Sequence, residues 1–187
     1  MLINQLSCCI TGHREMKLPY RYGTEKYHQL KDTLKAEIKG LMRQGVAHWY
    51  AGCQNGIDNL SAMIVLELAT ELNSTAYLHL IQPYEGMEKE FNQRQRQEFE
   101  MIKAKAKSIQ VLNQTKTPDC YQERNQYMVD QSDFLIAVLD KRHMASGTIK
   151  TINMAKRKGM DIQIIDPLTY EVERIPAKIP LKPLITE

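Results

Sequence analysis

Between Leu6 and Asp166 the chain repeats one pattern. A short apolar run is followed by a glycine-containing turn and then by a longer segment of helical period. Six runs read as strands: "LSCCIT" (Leu6–Thr11), "VAHWYA" (Val46–Ala51), "TAYLHLIQP" (Thr75–Pro83), "SIQVLN" (Ser108–Asn113), "FLIAVLD" (Phe134–Asp140) and "DIQIID" (Asp161–Asp166). Helical segments lie between them at Thr24–Gln44, Ile57–Leu72, Met87–Lys107 (with room for one break), Cys120–Ser132 and Ser146–Gly159. The first is the clearest: Tyr27, Leu30, Leu34, Ile38 and Leu41 recur every three or four residues, one stripe of an amphipathic helix, and Gly45 closes it. Phe134–Asp140 is apolar without alternation, as in a strand covered on both faces. Strands that alternate with helices pair in parallel, because the crossover returns each strand in the same direction. The expected fold is therefore α/β, a Rossmann-like three-layer αβα sandwich with a mostly parallel sheet of about six strands.

That fold takes up residues 1–166. The remaining segment, 167–187, holds four of the seven prolines and is expected to be an extended tail, lying along an edge or a partner or disordered. Hydrophobic residues at 43% and charged residues at 25% are enough for a packed core, and no apolar run approaches the roughly 20 residues of a membrane helix. No basic segment leads into an apolar one at the start, so a cytoplasmic location is expected. Cys8, Cys9, Cys53 and Cys120 lack CxxC spacing and read as reduced thiols, with no metal site. Neighbours in a strand point to opposite faces, so Cys8 and Cys9 should enter different layers of the core.

In open parallel sheets, ligands bind beyond the carboxyl ends of the strands. The first strand is followed there by Thr11-Gly12-His13-Arg14 and the second by Gly52-Cys53-Gln54-Asn55-Gly56-Ile57-Asp58. The third is followed by Gln82-Pro83-Tyr84, and the fifth by Asp140 and then Ser146-Gly147-Thr148. Glycine admits a ligand close to the backbone, helix N-termini favour anions, and arginine can grip a phosphate through two N–H groups. Thr11, Ser146 and Thr148 add hydroxyls. Arg124 and Asn125 open another helix, where they either reach a ligand or form a solvated first turn. Each loop alone is compatible with an ordinary turn; together they describe a nucleotide or sugar-phosphate pocket. Neither GxGxxG nor GxxxxGK[ST] is present, which excludes an ordinary dinucleotide fingerprint and a P-loop.

Four stretches, "CITGHR", "AGCQNGIDNLSA", "ERNQYMVDQSD" and the "SGT" before the last helix, resemble in order the YpsA/YoqJ-type branch of the SLOG superfamily. That superfamily includes the LOG phosphoribohydrolases and the core of the DNA-processing protein DprA. The resemblance covers Leu6 to Asp166. It implies a Rossmann-like fold and a pocket for a nucleotide or nucleotide-derived ligand, such as an ADP-ribose- or NAD-related molecule, with no cofactor required. By motif, Gly12, His13 and Arg14 would form one wall, Gly52, Gly56 and Asp58 a second, and Arg124 and Asn125 a third, with Gly147 and Thr148 cradling phosphate. The LOG signature PGGxGTxxE is incomplete: "HMASGTIKT" lacks PGG, and Thr151 stands at the glutamate.

Three functions follow as expectations. The first is a ligand-binding sensor or regulatory protein. The second is a hydrolase or transferase acting at an N-glycosidic ribosyl bond, with Asp58, His13 and Arg124 as the catalytic group and Asp58 as the carboxylate beside an oxocarbenium-like centre. The third is single-stranded DNA binding, motivated by Lys103, Lys105 and Lys107 and by Lys156-Arg157-Lys158. The net charge of +3 permits an anionic ligand without demanding nucleic acid. A homo-oligomer is compatible with the resemblance.

Overall fold

A computed structural model describes residues 5–143 and 146–179. Seven strands form one sheet: β1 (Leu6–Gly12), β2 (Val46–Ala51), β3 (Tyr77–Gln82), β4 (Ser108–Val111), β5 (Phe134–Val138), β6 (Asp161–Ile165) and β7 (Val172–Ile175). Five helices connect them: α1 (Glu25–Arg43), α2 (Ile57–Glu71), α3 (Gln93–Lys105), α4 (Cys120–Asp130) and α5 (Gly147–Lys158). The strand order is β4-β3-β2-β1-β5-β6-β7, parallel throughout except for the β6–β7 pair. The architecture is the expected Rossmann-like one. The chain winds outward from β1 to β4, then returns to the other side of β1 to make β5. The order therefore reverses between β1 and β5, which opens a crevice at their carboxyl ends.

Two apolar clusters lie on opposite faces of the sheet. One gathers Cys8, Leu30, Leu34, Ile38, Trp49, Ile64, Leu68 and Phe99 beneath α1, α2 and α3. The other gathers Cys9, Met128, Val129, Leu135, Ile152 and Ala155 beneath α4 and α5. Cys8 and Cys9 enter different layers, and all four cysteines are buried and free. Burial drives the Cys9 thiol up to about 12, and the Cys8 thiol is also raised, first by burial. The stripe read on α1 is its buried face, and Thr24 caps it by accepting from the Tyr27 amide at 3.4 Å. All five residues of β5 are buried, as a central strand flanked by β1 and β6 requires.

The break allowed for in Met87–Lys107 is present, and the proline-rich segment, lying along a sheet edge, adds one strand to the six read from sequence. The Met87–Lys107 segment divides into a 3-10 turn at Met87–Glu90 and α3, because Asn92 makes a capping box with Gln95 and starts a new helix. The seventh strand comes from the proline-rich segment: Asp166 to Tyr170 turn the chain back, and Val172–Ile175 pair antiparallel along β6. Pro180 and Pro183 lie outside the described residues. No described helix is long and apolar enough to cross a membrane.

Leu34 lies on the buried face of α1 and is fully buried in the core cluster. Leu34→Ala should lower unfolding stability by about 2–5 kcal/mol, the usual cost of a buried leucine, as measured by urea denaturation.

Candidate functional site

The crevice at the β1/β5 switch point is a cleft of about 390 Å³. Thr11, Gly12, His13, Arg14, Asp58, Arg124, Asn125, Ser146, Gly147 and Thr148 line it, together with Lys17, Gln54 and Tyr121. Ten positions read from four separate stretches thus share one cleft. Gly52 and Gly56 shape it from behind. Pro83 lies outside it, at the end of β3, where its carbonyl accepts from Asn113 Nδ2 at 2.9 Å.

The floor is built on a buried ion pair. Asp58 stands in the first turn of α2, where the helix dipole favours a carboxylate. Arg124 comes from the first half of α4, on the other face of the sheet. Its Nη1 donates to Asp58 Oδ2 at 2.9 Å and to the Gly52 carbonyl, and both side chains are under 8% exposed. Asp58 Oδ2 also accepts from the Gln54 amide at 3.3 Å. Burial raises the Asp58 pKa above the ordinary carboxylate range, while Arg124 and the Gln54 amide oppose the rise. Gly52 is forced by this contact: a Cβ there would overlap Arg124 Nη1 and stand 2.6 Å from Asp58 Oδ2.

The first two walls are stitched together. The Ile57 amide donates to His13 O at 3.2 Å, the Glu15 amide donates to Asn55 O at 3.2 Å, and Arg14 and Gly56 form an antiparallel bridge between these bonds. Gly56 has φ +122°, and a Cβ would lie 2.5 Å from Glu15 N and 2.6 Å from His13 O. No other residue satisfies both demands.

His13 is 4% exposed, and its Nε2 accepts from the Asp140 amide at 2.9 Å. A backbone N–H can only donate, so Nε2 is unprotonated and the neutral ring carries its proton on Nδ1. Burial lowers the His13 pKa, with the Asp140 charge opposing. The Asp140 carboxylate is wholly buried and bound by Arg142 (2.7 Å to Nη2), which holds it down at about 2.

The fourth wall is the N-terminus of α5. Ser146 caps it by accepting from the Ile149 amide at 3.4 Å. The Gly147 and Thr148 amides donate to no described residue and remain at the positive end of the helix dipole. Thr151 is fully buried: its hydroxyl donates to the Gly147 carbonyl at 3.0 Å and accepts from Asn125 Nδ2 at 2.9 Å. The residue at the LOG glutamate position therefore fixes α5 to α4. Met144 and Ala145, in the preceding loop, lie outside the described residues.

Three lining residues were not singled out by sequence. Lys17 sits in a short 3-10 turn, Gln54 within the second loop, and Tyr121 on α4, where Arg14 stacks on its ring at 5.1 Å. Only the position of Gln54 between Gly52 and Gly56 offered a signal. Neither Arg14 nor Lys17 is ion-paired among the described residues, whereas the Asp58 charge is matched by Arg124. The cleft is thus left with uncompensated positive charge. The two lysine-rich segments end helices on opposite faces of the sheet, and Lys158 Nζ is occupied by the carbonyls of Val129, Asp130 and Ser132 at 2.7–2.8 Å. They do not form one basic surface. No group of three or more metal-binding side chains is gathered among the described residues.

With this geometry in hand, comparison with known proteins identifies the lineage. The YpsA family model, described as the YspA SLOG family, matches residues 8–170. The chain belongs to this family. UPF0398 proteins are among its relatives. One from Staphylococcus epidermidis is 26% identical over 140 residues, covering 73% of this chain and 74% of that protein. One from Staphylococcus aureus is 24% identical over the same shares. Among solved structures, DNA processing protein A (DprA) from Streptococcus pneumoniae matches with TM-score 0.59 at 16% identity. The match covers 88% of this chain and 51% of that one, so this YpsA-family chain spans about half of DprA and shares its fold.

Two outcomes are expected. Arg124→Met leaves Asp58 charged and buried without a partner, so stability should fall by about 3–5 kcal/mol at neutral pH. Arg124→Met combined with Asp58→Leu should recover part of that loss in urea denaturation. For His13, the folded-state pKa lies below the unfolded value, so neutral His13 favours folding. Its contribution is complete above about pH 6.5 and is lost as pH falls through the lowered value. NMR should show His13 titrating below about 6.5 from the Nδ1–H tautomer, and His13→Asn should flatten the stability profile below that pH.

Proposed function

We propose that this YpsA-family protein binds a nucleotide or nucleotide-derived anion, of the ADP-ribose or NAD-related class, and works as a sensor or regulatory protein. The observation that carries the reading is the N-terminus of α5, whose Gly147 and Thr148 amides donate to no described residue, facing Arg14 and Lys17 across the switch-point cleft. Such amides, converging on one crevice with two cations that have no ion-pair partner among the described residues, are suited to phosphate oxygens. The SLOG family and the Rossmann-like fold support a nucleotide-related ligand. The engagement of Thr151 in packing α5 against α4 favours binding over LOG-type cleavage.

The test is calorimetry with NAD, ADP-ribose, AMP and inorganic phosphate. At least one nucleotide should bind more tightly than phosphate. Arg14→Ala should weaken that binding by about 1.5–3 kcal/mol, the range for a charge-assisted hydrogen bond, without lowering the melting temperature. Absence of binding across the nucleotides would sink the reading.

One observation favours the second reading, cleavage at a ribosyl bond. Asp58 lines the cleft, and its Oδ1 accepts from no described residue, so one oxygen of a carboxylate with a raised pKa is free for substrate. Under that reading, wild type releases free base from a nucleotide. Asp58→Asn, which keeps an oxygen for Arg124, loses this activity by at least about 100-fold at unchanged nucleotide affinity. Equal release by both proteins removes Asp58 from any such mechanism.

A further inference from the structure

The two edges of the sheet are finished differently. At one edge, β7 carries exposed Glu173 and Arg174, tied to Lys141 (3.3 Å) and Glu37 (2.8 Å). Charge on an edge strand resists pairing with another chain. At the other edge, β4 reads Ser-Ile-Gln-Val and holds no charge. All four residues are exposed, Ile109 by 37% and Val111 by 43%. An uncharged apolar edge strand is a template for strand pairing.

The pairing of β4 with β3 fixes which of its groups are spare. Ile81 is opposite Gln110, Gln82 is opposite Val111, and the Leu112 amide donates to Gln82 O at 3.0 Å. In a parallel ladder alternate residues turn both backbone groups to one neighbour. Here Gln110 and Leu112 turn to β3, so Ile109 and Val111 present their N–H and C=O outward. The side chains sort as well. Ile109, beside Leu80, lies on the face of α1–α3. Gln110, beside Ile81, lies on the face of α4, where its amide oxygen accepts from Tyr127 OH at 2.7 Å.

The charges flanking β4 have opposite signs at its two ends. Lys105 and Lys107 precede the strand. After it, Asn113 donates to Glu123 Oε2 at 3.0 Å and accepts from the amide of exposed Glu85. Antiparallel pairing of two such strands sets the basic end of each against the acidic end of the other.

We propose that β4 pairs with β4 of a second copy of this chain, antiparallel about a two-fold axis at Gln110, to make one sheet through both protomers. In this register Ile109 faces the partner's Val111, and the outward N–H and C=O of both residues are all satisfied. Their side chains meet on the α1–α3 face. Lys107 then stands opposite Asn113 and Glu123 of the second copy. A two-fold interface is self-complementary, and a strand with a basic start and an acidic end meets that requirement. The interface is a single strand pair with small flanking contacts, so the dimer is a weak and reversible one. The inference is independent of the ligand reading.

Sedimentation velocity over a wide concentration range tests it on the full chain. Wild type should pass from monomer to dimer as concentration rises. Ile109→Lys, which places a charge on the edge, should leave a monomer with an unchanged melting temperature. Lys107→Glu should weaken the dimer by at least about tenfold, and Lys107→Glu combined with Glu123→Lys should restore it. Lys107 also lies over the Tyr77 ring at 5.6 Å, and loss of that contact alone would not be reversed by a change at Glu123. A wild type that stays monomeric at every concentration overturns the proposal. So does a dimer indifferent to Ile109→Lys and Lys107→Glu.

Discussion

Arg124 reaches across the carboxyl end of the sheet and holds the second loop from the opposite side. It starts in α4, on one face, and ends on Asp58 and the Gly52 carbonyl, which belong to the turn and helix of the other. A charge this deep is tolerated only with a partner close by, so neither residue is stable without the other. Much of the site follows from that bond. Gly52 must lack a side chain because the guanidinium occupies its Cβ position. Asp58 is drawn into the first turn of α2, which aligns Gly56, and Gly56 in turn pairs with Arg14. Remove the pair and two of the four walls lose their common anchor.

The electrostatics of the cleft follow from how its charges are matched. Asp58 is neutralised by Arg124, and Asp140 by Arg142 behind the His13 ring. His13 is neutral through its bond to the Asp140 amide. What is left unmatched among the described residues is positive: Arg14, Lys17 and the N-terminus of α5. An anion entering here meets attraction without displacing an internal partner. The same matching leaves Asp58 Oδ1 and the His13 Nδ1–H as the groups whose bonding depends on what occupies the cleft.

The elements of the fold were legible because each is a local pattern: a five-residue stripe on α1, a continuous apolar run in β5, glycines at strand ends. The site was legible to the extent that its residues follow strands, since a parallel sheet brings those positions together. Arg124 could be read as a neighbour of the site but not as its brace, because an arginine in the first half of a helix looks the same in sequence whether solvated or paired. Lys17 and Tyr121 were silent, since nothing in their local sequence marks them and only the tertiary fold brings them to the cleft. Pro83 follows a strand too, but β3 stands two places from β1, too far out to reach the crevice. β7 was hidden by its proline-rich surroundings and by Glu173 and Arg174, which mask a strand of only four residues.

The backbone stitching between His13–Glu15 and Asn55–Ile57 has a consequence for the timing of molecular recognition. Two loops that would otherwise fluctuate separately are bonded into one body when the chain folds, so their conformational freedom is lost at that stage rather than on meeting a ligand. Arg14 projects from this fixed frame. The entropy of ordering these two walls is therefore spent in folding, and a group that met them would find both already in register.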